Sequence, residues 1–325
     1  MKSGWGRFLA GCVGVLVWVA PLLAAEMTIL PPQRMIAVTF DDLPFVVGGR
    51  RDAELRPLST KLLHQITSNG IPAVGFVNEK KLYPSGEPSA QGVAILEDWL
   101  TAGLELGNHT YSHASLNRIP LADYIQDVVR GEAVTGPLMA KHGMTLRYFR
   151  HPFLQVGKDA QTRAEFEQFL AGHGYIVAPV TVNSSEWIFA AAYDKAMQQG
   201  DAAAMQQVAD AYVPYMELTL AEAERQSMEL FGYEIRQILL LHANALNAAH
   251  LGELAKMLKK RGYRFIPLDE ALQDRAYSSP NRYTGWEGES WLNQWAQTVG
   301  LRPRRVIQVP AFVRALAGRA DYTGD

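Results

Sequence analysis

Short, separated motifs carry the side chains in this sequence that can move protons or bind a cation. Asp41 and Asp42 follow an apolar run in Ala37-Val38-Thr39-Phe40-Asp41-Asp42-Leu43-Pro44. A tandem acid pair after a strand ordinarily caps a turn or helix, because aspartate accepts from local backbone N–H groups. At the mouth of a site the same pair divides its work, one carboxylate ligating a cation while its neighbour takes a proton from water. His109 and His113, in His109-Thr110-Tyr111-Ser112-His113, stand at i and i+4. On a helical turn both imidazoles then face one side and grip one ion. Thr110 stands where a metalloprotease helix needs glutamate, so that helix is excluded. Two histidines plus one carboxylate leave positions open for water and substrate, as a catalytic centre requires. His242 ends Ile238-Leu239-Leu240-Leu241-His242 and reads either as a satisfied core residue or as a general acid. Arg150, in Arg150-His151-Pro152-Phe153, is either a surface cation or a guanidinium that keeps a carboxylate ionised. His64, His142, His151, His173 and His250 read as structural.

The elements that must position these residues alternate. Strand patterns fall at 35–40, 72–77, 104–107, 146–150, 175–182, 235–241 and 263–266, seven in all. Helix-period segments lie between them at 54–69, 90–102, 121–142, 160–172 and 247–261. That alternation predicts an α/β fold with a parallel sheet. Residues 190–234, rich in Ala, Gln, Met and Glu, read as two or three inserted helices. The chemical motifs all follow strands, and in parallel α/β folds ligand sites gather at the carboxyl ends of strands. Residues 276–325 form a Trp-containing C-terminal extension in which Trp286, Trp291 and Trp295 either pack on the barrel or stack on sugars. Packing is the common fate of an indole.

The chain's 325 residues are 48% apolar, with 31 basic and 33 acidic side chains and a formal net charge of −2. That composition excludes a disordered or collagen-like chain and argues against a nucleic-acid partner held by bulk positive charge. Cys12 is the single cysteine, so an intramolecular disulfide and a cysteine-based zinc site are excluded, and a metal must be held by histidine and carboxylate. Residues 1–25 carry Lys2 and Arg7 ahead of the uncharged run 8–25. This reads as an export signal, or as an uncleaved anchor that attaches the protein to the membrane, and either way the catalytic part is expected in the periplasm or outside the cell. No protein partner is readable. Phosphate loops, dinucleotide fingerprints and nucleophile elbows are missing from the sequence.

Taken in order, Thr39-Phe40-Asp41-Asp42-Leu43-Pro44, His109-Thr110-Tyr111-Ser112-His113, Arg150-His151-Pro152-Phe153, Asn183-Ser184-Ser185-Glu186-Trp187 and Leu240-Leu241-His242 resemble the polysaccharide deacetylases of carbohydrate esterase family 4, the NodB-homology domain. The resemblance covers about residues 34–272, within a domain bounded at 26–275. It implies a distorted (β/α) barrel, matching the seven predicted strands. It also implies metal-dependent hydrolysis of acetyl groups on N- or O-acetylated oligo- or polysaccharides by metal-bound water. Asp42, His109 and His113 would be the metal ligands, with zinc the first expectation and cobalt or nickel the alternatives. Asp41 would be the base, Arg150 its partner and His242 the acid. The backbone N–H near Phe153 would hold the oxyanion, and Trp187 and Leu240 would line the pocket for the acetyl methyl. Two departures stand out. Leu43 occupies a position where the family usually has glycine. Asn183 and Glu186 replace two usual aspartates, leaving Glu186 to orient His242. Two other readings stay open, a metal-dependent phosphoesterase and a disabled carbohydrate-binding homologue. The choice among chitin-like chains, peptidoglycan, an exopolysaccharide and acetylated xylan is also open.

Overall fold

The computed structural model describes residues 1, 2, 4, 34–46, 48–49 and 52–322. The export or anchor segment therefore lies, apart from three residues, outside the described residues. In chain order the elements are β1 (Arg34–Leu43), α1 (Asp52–Ser68), β2 (Val74–Val77), α2 (Ala90–Thr101), β3 (Glu105–Asn108), α3 (Leu121–Arg130), α4 (Thr135–Lys141), β4 (Tyr148–Phe149), α5 (Ala160–Gly172), β5 (Ile176–Val177), α6 (Glu186–Gln199), α7 (Ala202–Phe231), β6 (Gln237–His242), α8 (Ala245–Lys260), β7 (Tyr263–Phe265), α9 (Leu268–Leu272), α10 (Trp291–Thr298) and α11 (Ala311–Leu316).

The strands form one parallel sheet in the order β5-β4-β3-β2-β1-β6, with β7 added on β1. A parallel bridge between Val182 and Leu239 ties the chain beyond β5 back to β6, which curls the sheet into a distorted (β/α) barrel. β1 is buried on both faces, as expected of a central strand in a helix-covered parallel sheet, and its apolar run shows no clean alternation. The main core joins Ile36, Val38 and Phe40 of β1 to residues of α1, α2, α6, α7 and α8.

Three sequence expectations are corrected. The predicted strand 175–182 shrinks to β5, because Pro179 supplies no N–H and the chain instead crosses to β6, where Thr181 and Val182 both donate to the Ile238 carbonyl. The predicted helix 121–142 breaks into α3 and α4 at Gly131. A Cβ there would stand 2.9 Å from the backbone of Thr110 and Tyr111, and the buried Glu79 carboxylate accepts from the Val134 and Thr135 amides at the start of α4. The inserted helices begin at Glu186 rather than at 190, so Glu186 and Trp187 lie on the first turn of α6.

Candidate active site

Adjacent residues of a regular strand point to opposite faces, yet Asp41 and Asp42 both line one cleft of about 990 Å³. The pairing of β1 with β2 slips between Phe40 and Leu43, and Asp42 takes a φ of 72°. Together these turn both carboxylates into the barrel mouth. The histidine pair is not carried on a helical turn as its spacing suggested. It lies on an irregular loop after β3 in which Thr110 and His113 adopt φ values of 63° and 57°. Side chains brace that loop: the Asn108 Oδ1 accepts from the Thr110 amide at 2.7 Å, and Asn78 donates to the His109 carbonyl at 2.6 Å.

One ligand atom each from Asp42, His109 and His113 lies within 4.8 Å of the others. His109 donates its Nδ1–H to the Arg150 carbonyl at 2.8 Å, which fixes the tautomer and leaves the Nε2 lone pair for a ligand. Burial pushes His109 down to about 3. Burial and the neighbouring His109 push His113 down to about 4, so both are neutral, as ligation requires. Burial works against ionisation of Asp42, but Lys81 and the nearby histidines outweigh it and hold the carboxyl well below the usual range. An anionic oxygen, two neutral imidazoles and a backing hydrogen bond fit a divalent cation.

Asp41 sits beside this group, with Oδ2 3.6 Å from His109 Nε2 and Oδ1 3.9 Å from Arg150 Nε. Both Asp41 and Arg150 are buried, and Asp41 Oδ1 and Arg150 Nε and Nη1 have no hydrogen-bond partner. Arg150 is held by Thr39, to which Nη2 donates at 2.8 Å, and by the face of Phe76, 4.7 Å from its guanidinium carbon. Burial raises the Asp41 pKa, and Arg150 pulls it back.

Across the cleft His242 donates from Nδ1 to Glu186 at 2.8 Å. The other carboxylate oxygen of Glu186 accepts from Asn244 at 2.5 Å and Asn247 at 2.7 Å, and Glu186 stands at the start of α6, where the helix dipole favours an anion. Burial alone would lower the His242 pKa, but the Glu186 bond and charge, with Asp42 and Asp41 nearby, push it up to about 9.

Part of the wall is apolar. Leu240 forms a small buried cluster with Leu154 and Val180. Trp187 is 38% exposed, with Tyr322 edge-on to its ring and the Arg319 guanidinium over it. Phe153 takes a φ of 56° and packs its half-exposed ring on His113, centroids 4.4 Å apart. All ten residues singled out as site residues therefore converge on this cleft or directly behind it. Asn183 lines it too. His151, read as structural, also reaches the cleft, buried among the rings of Phe149, Phe166 and Trp291.

Four contributors escaped the sequence reading. Lys81 ion-pairs with Asp42 at 3.3 Å and donates to its carbonyl. Asn244 and Asn247 fix Glu186, and Leu154 completes the apolar wall. Only the spacing His242-Ala243-Asn244 with Asn247 at helical distance gave any signal, since Asn244 also caps α8.

The polysaccharide deacetylase family model matches residues 30–169. Among solved structures, the Bc1960 peptidoglycan N-acetylglucosamine deacetylase is 17% identical, with 74% of this chain and 88% of that one aligned at a TM-score of 0.50. The chitin deacetylase of the fungus Colletotrichum lindemuthianum is 21% identical over 74% of this chain and 88% of its own, with a TM-score of 0.48. A family 4 pseudoenzyme is 15% identical over 75% and 69%, with a TM-score of 0.49.

Proposed function

We propose that this chain, which carries a polysaccharide deacetylase domain of carbohydrate esterase family 4, hydrolyses the acetamide of an N-acetylated saccharide in the cleft of Asp41, Asp42 and His242. The observation that carries this reading is the joint arrangement around one cavity of a three-residue cation site, a buried carboxylate with an arginine, and a histidine with a glutamate. Asp42, His109 and His113 would hold a divalent cation, zinc before cobalt or nickel, which when bound supplies Lewis-acid polarisation of water and of the acetyl carbonyl.

The other steps belong to the chain. Asp41 takes the proton of the attacking water. Its burial raises its affinity for that proton, and Arg150 beside it opposes that rise. The amide near Phe153 faces the developing oxyanion. His242, charged below about pH 9, donates a proton to the departing amine from the nitrogen that Glu186 does not hold. Leu240, Leu154 and Trp187 line the pocket that receives the acetyl methyl. Retention of Asp41 and of the His242–Glu186 pair counts against a disabled homologue. The basic and apolar pattern of residues 1–25 supports an address outside the cytoplasmic membrane.

Acetate release from N-acetylglucosamine oligomers tests the reading, using zinc-loaded protein beside Asp42→Ala and His242→Ala. Release by the parent and its loss in both variants is the expected result. Equal release by Asp42→Ala overturns it.

A further inference from the structure

A groove that admits the middle of a polymer must be open at two ends. Here chain outside the barrel's own loops borders much of the cleft mouth. From one side, the segment 285–288 is strapped to the loops that carry His113 and Phe153. Asn117 donates to the carbonyls of Gly285 and Trp286, and Gln155 donates to Trp286 at 3.1 Å. Gly288 is pressed so close that a Cβ would stand 1.6 Å from the Phe153 carbonyl oxygen. On another side, Arg319 lies over Trp187 and Tyr322 shares a 3.0 Å hydrogen bond with Ser185. The rim then runs along α6 to Gln198, which donates to the Gly48 carbonyl on the loop after β1. The cleft's volume of about 990 Å³ lies at the upper end of the size of a small-molecule pocket, roughly 300–1,000 Å³.

We infer that this site takes a short saccharide or the end of a chain, and that it excludes residues internal to a polymer. The inference rests on the deacetylase reading above. It makes the inserted helix α6 and the segment after 276 determinants of substrate length, because these two build the part of the rim that the barrel's own loops do not.

The test offers zinc-loaded full chain an N-acetylglucosamine dimer, a tetramer and a long chitin-like polymer, and locates each free amine by mass spectrometric sequencing. Deacetylation confined to a terminal ring of the tetramer and polymer, with internal release at least about tenfold lower, is the expected result. Opening the rim with Gln198→Ala and Arg319→Ala together should spread deacetylation inward. A readout independent of turnover is quenching of tryptophan fluorescence by the same oligomers, in which affinity should rise with length and then level off once the pocket is filled. Free amines spread evenly along the parent enzyme's products, or affinity that keeps rising with length, overturns the inference and leaves the deacetylase reading intact. Acetate from none of the three saccharides overturns both.

Discussion

At the residue scale the decisive feature is how charge is apportioned between Asp41 and His242. Histidine ordinarily titrates near pH 6.5, but Glu186 and the two aspartates push His242 up to about 9. An acid with a raised pKa stays protonated as pH climbs, so kcat/KM should fall on the alkaline side only as pH passes about 9. Glu186→Gln removes the anion while keeping a hydrogen-bond acceptor. The pKa then drops and the alkaline fall moves to lower pH, which a kcat/KM profile measures directly. His242→Ala, which removes the proton donor outright, should cut kcat by about 10²–10⁴-fold without changing the metal content read by elemental analysis. Most of these residues were legible because histidine, arginine and paired aspartate are conspicuous at the ends of apolar strands. Lys81 was not, since a lysine beyond a strand looks like any solvated residue until its partner across the fold is known, and the spacing of Asn244 and Asn247 signals only a helix cap.

At the scale of elements, the cation site depends on backbone that L-residues adopt reluctantly. Asp42, Thr110, His113, Phe153 and Leu154 all have positive φ, and all lie in or beside the cleft. Strain of this kind costs on the order of 1–3 kcal/mol per residue and persists only where surroundings enforce it. For the 109–113 loop the enforcement comes from Asn108, Asn78 and the close approach of Gly131. Gly131→Ala should push that approach apart. We expect it to destabilise the fold by about 1–3 kcal/mol and to weaken zinc affinity in a chelator competition, although residue 131 is no ligand. Gly172→Ala, at the exposed end of α5 with open space around it, should leave both unchanged or gain a few tenths of a kcal/mol. The sequence carried the existence and order of the strands in its β-branched runs. It hid the local twist, because an i, i+4 histidine pair reads the same on a helical turn as on a loop kinked by Thr110.

At the scale of the whole molecule, the question is whether residues 276–325 act with the barrel or beside it. Leu292, Trp295, Val309 and Val313 are buried in the same core as β1 and α1. Trp295 sits edge-on to Phe231 of α7, centroids 5.2 Å apart, and also packs on Tyr277. Gln226 of α7 donates to Asn293 of α10. Composition alone could not reveal this, since tryptophans spaced in a Ser- and Pro-containing stretch suit a sugar platform and a packed strap equally. What separates the two is contact with residues more than sixty positions away. A core shared between both parts cannot melt in halves. Chemical denaturation followed by tryptophan fluorescence and by far-UV circular dichroism should therefore give one coincident transition. Trp295→Ala should lower the unfolding free energy by about 3–5 kcal/mol and shift that single transition as a whole. Trp295→Phe should cost far less, because the buried indole N–H has no partner to lose. An early transition confined to tryptophan fluorescence would mean instead that the tail unfolds alone. The rim that Arg319 and Tyr322 lend to the cleft would then have no rigid foundation.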